Sequence, residues 1–288
     1  MGNGTGGKPV GEQWFTAIEA TAERPARLDT STANPARVYD YWLGGKDNFA
    51  ADRKAAHEAI AANPGIIVEA RTNRAFLRRA VQHLAGPARI RQFLDIGAGI
   101  PSVDNTHEVA QRVAPDSRVV YVDNDPMVVA HARARLTSYD GAASCVPGDL
   151  RDLDAILDQA RQKLDFGQPI AVLMLMVLMM IPDTDEPYQL VGRLMDAVPP
   201  GSYLVISHPA SDISAQSMAD MRERLHVTGP PMTPRTYTDV SRFFNGLDLL
   251  TPGVVALSDW RPEAGEVRPA VAPGWCGVAR KPWRDGVR

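Results

Sequence analysis

The run Asp95-Ile96-Gly97-Ala98-Gly99-Ile100-Pro101 follows an apolar stretch ending at Leu94 and leads into a helical pattern. Glycines at a strand-to-helix turn let the backbone come close to a ligand. A dinucleotide fingerprint would carry a third glycine where this chain has Ser102, and Asp95 would face the negative charge of a pyrophosphate. A cationic ligand without phosphate suits that carboxylate better. A second apolar run ends in Tyr121-Val122-Asp123-Asn124-Asp125, where Asp123, with Asn124 beside it, can accept both hydrogen bonds of a ribose diol. A third run closes on Gly148-Asp149-Leu150. There Asp149 can accept a proton from an adenine amino group while apolar neighbours such as Leu150 sandwich the ring. Three acidic tips on successive strands predict one continuous site at the carboxyl edge of an open sheet.

The elements that must position these tips are legible as alternating strands and helices after Gly86-Pro87. Seven strands are expected at Gln92 to Ile96, Arg118 to Val122, Ala143 to Val146, Ile170 to Val177, Tyr203 to Ser207, Leu249 to Val255 and Trp275 to Ala279. Helices are expected at Asp104 to Val113, Pro126 to Ser138, Leu153 to Lys163, Pro187 to Ala197 and Tyr237 to Asn245, with Pro126 and Pro187 at first-turn positions that tolerate proline. Upstream, Ile66 to Leu84 repeats apolar residues at helical spacing. The aromatic-rich Pro35 to Arg53, turning at Gly44-Gly45, reads as a lid or clamp. The organisation expected is a flexible arm over residues 1–30, a helical lid over 31–86 and an α/β core over 87–288. A proline-punctuated insertion at 209–234 faces the substrate.

Composition narrows the partners. The 288 residues carry a formal net charge of -3, without the basic footprint that nucleic acid demands. The two cysteines, Cys145 and Cys276, form no zinc or disulfide framework, which fits a reducing, cytoplasmic compartment. The longest apolar run, Ala171 to Ile181, falls short of the roughly 20 residues of a membrane span. The six histidines are not spaced as metal ligands, so no metal is expected. A small-molecule partner is expected, and a homodimer is compatible with everything above.

The run Ala36-Arg37-Val38-Tyr39-Asp40-Tyr41-Trp42-Leu43-Gly44-Gly45-Lys46-Asp47-Asn48-Phe49-Ala50-Ala51-Asp52-Arg53 resembles the hallmark of the DUF574 family, S-adenosylmethionine-dependent methyltransferases found mainly in actinobacteria. Asp104-Asn105-Thr106-His107-Glu108-Val109, Tyr121 to Asp125, Ile181-Pro182-Asp183, Pro199-Pro200-Gly201-Ser202-Tyr203 and Gly277-Val278-Ala279-Arg280-Lys281 extend the resemblance over Asp29 to Trp283. It implies a Rossmann-like class I methyltransferase fold: a seven-stranded, mostly parallel sheet with helices on both faces and an N-terminal helical lid. The implied cofactor, S-adenosylmethionine, has cationic amino and sulfonium groups and no phosphate, as Asp95 requires. The implied reaction is methyl transfer, leaving S-adenosylhomocysteine. The resemblance implies a histidine that members usually carry just after the fourth strand, where this chain has Met179, a departure that points to a more apolar acceptor pocket or an altered chemistry.

Other residues admit two readings each. His208, ending the fifth strand, is either a general base for the acceptor or a histidine bonded to backbone. Tyr39 and Tyr41 either line the acceptor pocket or anchor the lid. Lys46 and Asn48 reach the amino and carboxylate groups of the cofactor, or form a charged hairpin tip. Arg74 pairs with the cofactor carboxylate, or is a solvated helix residue. His107 orients substrate or Asp104, or caps its helix. Met174, Met176, Met179 and Met180 form a soft pocket, or fill the core. The expected function is in-line methyl transfer to an oxygen or nitrogen of a small molecule. The alternative is an S-adenosylmethionine-binding protein that does not methylate, either a sensor or an enzyme that uses the sulfonium to assist a cyclisation or rearrangement.

Overall fold

The computed structural model describes residues 29–135, 142–213, 232–265 and 273–283. Two short helices, α1 (Pro35–Trp42) and α2 (Ala50–Ala62), precede the long α3 (Ile66–Ala85). The Asn34 side chain caps α1 by accepting from the Ala36 amide at 2.8 Å, and Pro35 opens the helix where a missing N–H costs nothing. The buried Asp52 carboxylate joins α1 to α2. It accepts from Arg37 Nε at 3.1 Å and from the backbone amides of Asn34 and Phe49, each at 2.8 Å. A buried charge of this kind is tolerated because every oxygen is bonded.

The core alternates β1 (Gln92–Ile96), α4 (Thr106–Val113), β2 (Arg118–Asp123), α5 (Pro126–Arg135), β3 (Ala143–Pro147), α6 (Leu153–Arg161), β4 (Ala171–Leu175), α7 (Pro187–Ala197) and β5 (Tyr203–Pro209). Then come α8 (Tyr237–Arg242), β6 (Asp248–Leu249), β7 (Val255–Ala256) and β8 (Gly274–Arg280). Among the described residues these form one eight-stranded sheet ordered β3-β2-β1-β4-β5-β8-β6, with β7 paired to β8. The first five strands are parallel, and β8 runs antiparallel to its neighbours. The sixth strand expected, at Leu249 to Val255, is instead two short strands, because the turn through Pro252 and Gly253 interrupts pairing. The expected fourth strand is shorter, ending at Leu175 where Met176 turns to φ +55°.

Alternation along the strands sorts side chains into two apolar layers. Phe93, Val119, Tyr121, Leu173 and Val205 pack against α3, α4 and α5. Leu94, Ile96, Val122, Val172, Met174, Leu204 and Ile206 pack against α6, α7 and α8. From Phe76 to Ala85, α3 buries into the first layer, whereas Ile66 and Ala70 join a separate cluster with Val38, Trp42 and Ala59. The N-terminal helices and the core thus share one helix. The 209–234 insertion falls partly on residues 214–231, and the expected arm on 1–28, both outside the described residues. Among the described residues, no helix is long and apolar enough to cross a membrane.

Candidate active site

The strand order reverses between β1 and β4, so the carboxyl ends of these strands open the crevice where ligands of such sheets bind. Gly97 and Gly99 turn the chain there with φ of +75° and +65°. Gly97 is required by space as well as by conformation, since a Cβ on it would lie 2.4 Å from Val177 Cγ2 beyond β4. At Gly99 a Cβ would meet nothing within 4 Å, which leaves open room directly above the loop.

Asp95, paired with Tyr121 and Leu173, is buried on the α4 face and accepts from Thr106 Oγ1 at 2.6 Å. Burial raises its carboxyl to about 6, against the opposing pull of Thr106 and of the Arg74 charge. Asp123, 8% exposed, accepts from the Gly99 amide at Oδ2 and the Asp125 amide at Oδ1, both at 2.9 Å. Burial pushes this carboxyl up while those amides oppose it. Each oxygen keeps an acceptor site for a ribose hydroxyl. Asn124 donates to Asp149 Oδ2 at 3.1 Å, which joins the tips of β2 and β3. Burial tends to raise Asp149, but the Arg151 amide, Asn124 and the Arg151 charge together hold it below the usual carboxylate range. Arg151 reaches on to Asp185 at 2.8 Å and so ties this edge to the chain after β4. Leu150 is buried beneath it. The three acidic tips therefore stand side by side on adjacent strands.

The N-terminal helical segment packs over this edge. Ala36 and Phe49 pack on Ile100, Met127 and Val128, and Asp47 approaches His131 at 3.6 Å. Asn48, expected at the cofactor, is engaged within the turn that carries it. Its amide donates to Asp40 Oδ2 at 2.9 Å and to the Gly45 carbonyl at 3.0 Å, holding the turn closed. Lys46 is exposed at the tip of that turn. Arg74 donates through one terminal nitrogen to the carbonyls of Val103 and Asp104, bracing the loop after β1. Its Nε is buried without a hydrogen-bond partner among the described residues.

The two expected catalytic groups are placed differently from that expectation. His208 shares the parity of Ile206, not of Val205, so it faces α8 rather than the lid. The ring is fully buried. Nδ1 lies 3.0 Å from the Pro209 carbonyl, and Nε2 accepts from Arg235 at 3.0 Å. Burial lowers it to about 4. With its only acceptor nitrogen taken, it cannot serve as the general base. Tyr39 donates its hydroxyl to the Ala70 carbonyl at 3.1 Å and accepts from Asn73 at 2.9 Å, so this proton anchors α1 to α3. His107 bonds the Tyr121 hydroxyl at 2.8 Å and does not reach Asp104, which pairs with Arg112 instead.

Sequence reasoning missed Thr106, Asn73, Ser207 and Arg235. Asn73 accepts from Ser207 Oγ at 2.6 Å and so links α3 to β5. Arg235 donates to the Leu178 and Ile181 carbonyls and to Asp183, fixing the turn that carries Met179.

These features fit S-adenosylmethionine. An unpartnered guanidinium nitrogen suits its carboxylate, open space lies above Gly99, and the Asp123 carboxylate has acceptor sites for its diol. A five-strand parallel run continued by an antiparallel strand, with acidic tips at its carboxyl edge, defines the class I, Rossmann-like methyltransferases. Within that class, the chain belongs to the family described as S-adenosyl methyltransferase, whose model matches residues 21–282.

A DUF574 family protein from Streptomyces avermitilis is similar over 89% of this chain and 100% of its own, with 40% identity and a TM-score of 0.85. A protein provisionally described as a methyltransferase from Thermobifida fusca is similar over 91% and 100%, with 39% identity and a TM-score of 0.83. An O-methyltransferase family protein from Burkholderia thailandensis shares the fold at 13% identity, covering 94% of this chain and 68% of its own with a TM-score of 0.50. No curated protein matches the chain. The enzyme is an S-adenosylmethionine-dependent methyltransferase.

Proposed function

We propose that the enzyme methylates an oxygen or nitrogen of a small organic acceptor, at a site covered by the lid and bounded by the ends of β4 and β5. The observation that carries this reading is the open space at Gly99, whose amide bonds the buried Asp123 carboxylate and whose neighbour Ile100 packs against Phe49. In this reading Asp123 holds the ribose, Asn124, Asp149 and Leu150 hold the adenine, and Asp95 and Arg74 hold the amino and carboxylate ends. Gly97, Ala98 and Gly99 let the backbone lie against the cofactor, and Lys46 approaches from the lid.

When bound, S-adenosylmethionine supplies a methyl group on a sulfonium, a strong electrophile that needs no further activation. The protein then contributes alignment and exclusion of water. Phe49 and Ala36 close the crevice, while Met176 and Met179 offer soft apolar contact to the acceptor. A methionine at position 179 favours an apolar acceptor.

Incubating the protein with methyl-labelled S-adenosylmethionine and a set of phenols, catechols and amines tests the reading. Label in an acceptor, with equal S-adenosylhomocysteine formed, supports it. Tight binding without conversion would favour the non-methylating alternative.

A further inference from the structure

The first turns of α3 carry a carboxylate with no assigned task. Glu69 is 5% exposed, and no hydrogen bond reaches its side chain among the described residues. A buried, unbonded acid works against folding, so its place in the molecule matters. Because α3 leads into β1, its first half lies at the carboxyl edge of the sheet, where Arg74 meets the loop after β1. Asn73, one turn beyond Glu69 on the same helix face, bonds both the Tyr39 hydroxyl and Ser207. Ser207 in turn accepts from the backbone amide of Met176, the residue in left-handed conformation beyond β4. Met232 packs on the cluster of Ile66 and Ala70, and Thr233 bonds the Met179 carbonyl. Glu69 shares the α3 face of Ile66, Ala70 and Asn73 and lies close enough to Tyr39 for its charge to act on that hydroxyl, which sets it beside the contacts that join α1, the end of β5 and the Met179 turn.

We propose that Glu69 is the proton acceptor for the methyl acceptor, a group bearing O–H or N–H and bound between Tyr39 and Met176. This rests on the methyl-transfer reading above. As the acceptor's lone pair forms the new bond to the methyl carbon, the C–S bond breaks and its electron pair stays on sulfur. The acceptor's proton passes to the Glu69 carboxylate, which later releases it to water. Burial alone raises Glu69 to about 8. The groups around it leave that value to burial. Tyr39 of α1 is bonded to α3, and His57 of α2 pairs with Tyr41. On α4, His107 and Glu108 are engaged with Tyr121 and Asn105. Strand β4 has no titratable residue. Arg74, on the same helix, binds backbone carbonyls. Ionisation near the working pH is what an efficient general base needs.

The test compares wild type, Glu69→Gln and Glu69→Asp in three measurements. These are S-adenosylhomocysteine affinity by calorimetry, label transfer from methyl-labelled S-adenosylmethionine into a filtered actinobacterial metabolite extract across pH, and carbon-13 NMR of the glutamate carboxyls. Expected are an affinity within about twofold in both variants, label transfer on the order of 100-fold lower in Glu69→Gln, and partial recovery with a displaced pH profile in Glu69→Asp. One carboxyl titrating at about 8 is expected in wild type and absent from Glu69→Gln. Equal transfer by wild type and Glu69→Gln, or a Glu69 signal titrating in the ordinary carboxylate range, would overturn the role of Glu69 alone. A wild type that binds S-adenosylhomocysteine but transfers no label would overturn the methyl-transfer reading and this inference with it.

Discussion

The backbone amide of Gly99 donates to Asp123 Oδ2 at 2.9 Å, so the turn after β1 and the tip of β2 form one unit. The two glycines of that turn do separate jobs. Gly97→Ala drives a methyl into Val177 at a positive φ and should cost about 2–4 kcal/mol of stability. Gly99→Ala meets no protein atom and should cost only about 1 kcal/mol, yet weaken cofactor binding by roughly tenfold or more. Urea unfolding and calorimetry on both variants separate the effects.

His208 should behave as a structural group. Its folded value of about 4 lies below the ordinary 6.5, so between these values the unfolded chain binds the extra proton. Its contribution to stability is complete above pH 6.5 and is lost as pH falls towards 4. Asp95, raised from 3.8 to about 6, has the opposite sign and contributes less as pH rises through that window. Urea unfolding at pH 7 and pH 4.5 should therefore show a smaller acid loss in His208→Gln than in wild type. A ring titrating at 6.5 by NMR would contradict the buried, Arg235-bonded histidine.

Strand tips and glycines were legible because they are local. A carboxylate after an apolar run has few places to go, and Asp95, Asp123 and Asp149 stand at the ends or just past the ends of β1, β2 and β3. The face of β5 was legible too, but only by counting. Val205 packs towards α3, so Ser207 shares its side and His208 takes the other. A histidine's chemistry drew attention away from that parity. Glu69, Asn73 and Arg235 gave no local signal. The partners of Asn73 and Arg235 lie on other elements, and Glu69 makes no hydrogen bond among the described residues, so only the packing of α3 and of the chain after residue 231 reveals where these groups stand. The broken strand around Pro252 follows from proline's missing donor, which a hydrophobic count ignores.

Asp40 controls the lid turn. Its carboxylate accepts from the Asp47 amide at 3.0 Å and from Asn48 at 2.9 Å, and it fills the space that a side chain at Gly45 would take. Asp40→Ala should loosen residues 44–49, speed proteolysis there and weaken cofactor binding about tenfold, equivalent to about 1.4 kcal/mol. Limited proteolysis with and without S-adenosylhomocysteine checks this. Ligand protection in wild type but not in Asp40→Ala is the expected result.

The most direct measurement is calorimetry of S-adenosylhomocysteine binding to wild type and to Asp123→Asn, with circular dichroism to verify folding. Removing the charge that would receive the ribose hydroxyls should lower affinity on the order of 100-fold, about 3 kcal/mol, in a protein that stays folded. Equal affinity in the folded variant would mean that the adenosine lies elsewhere and that the carboxyl edge of β1, β2 and β3 is not the cofactor site.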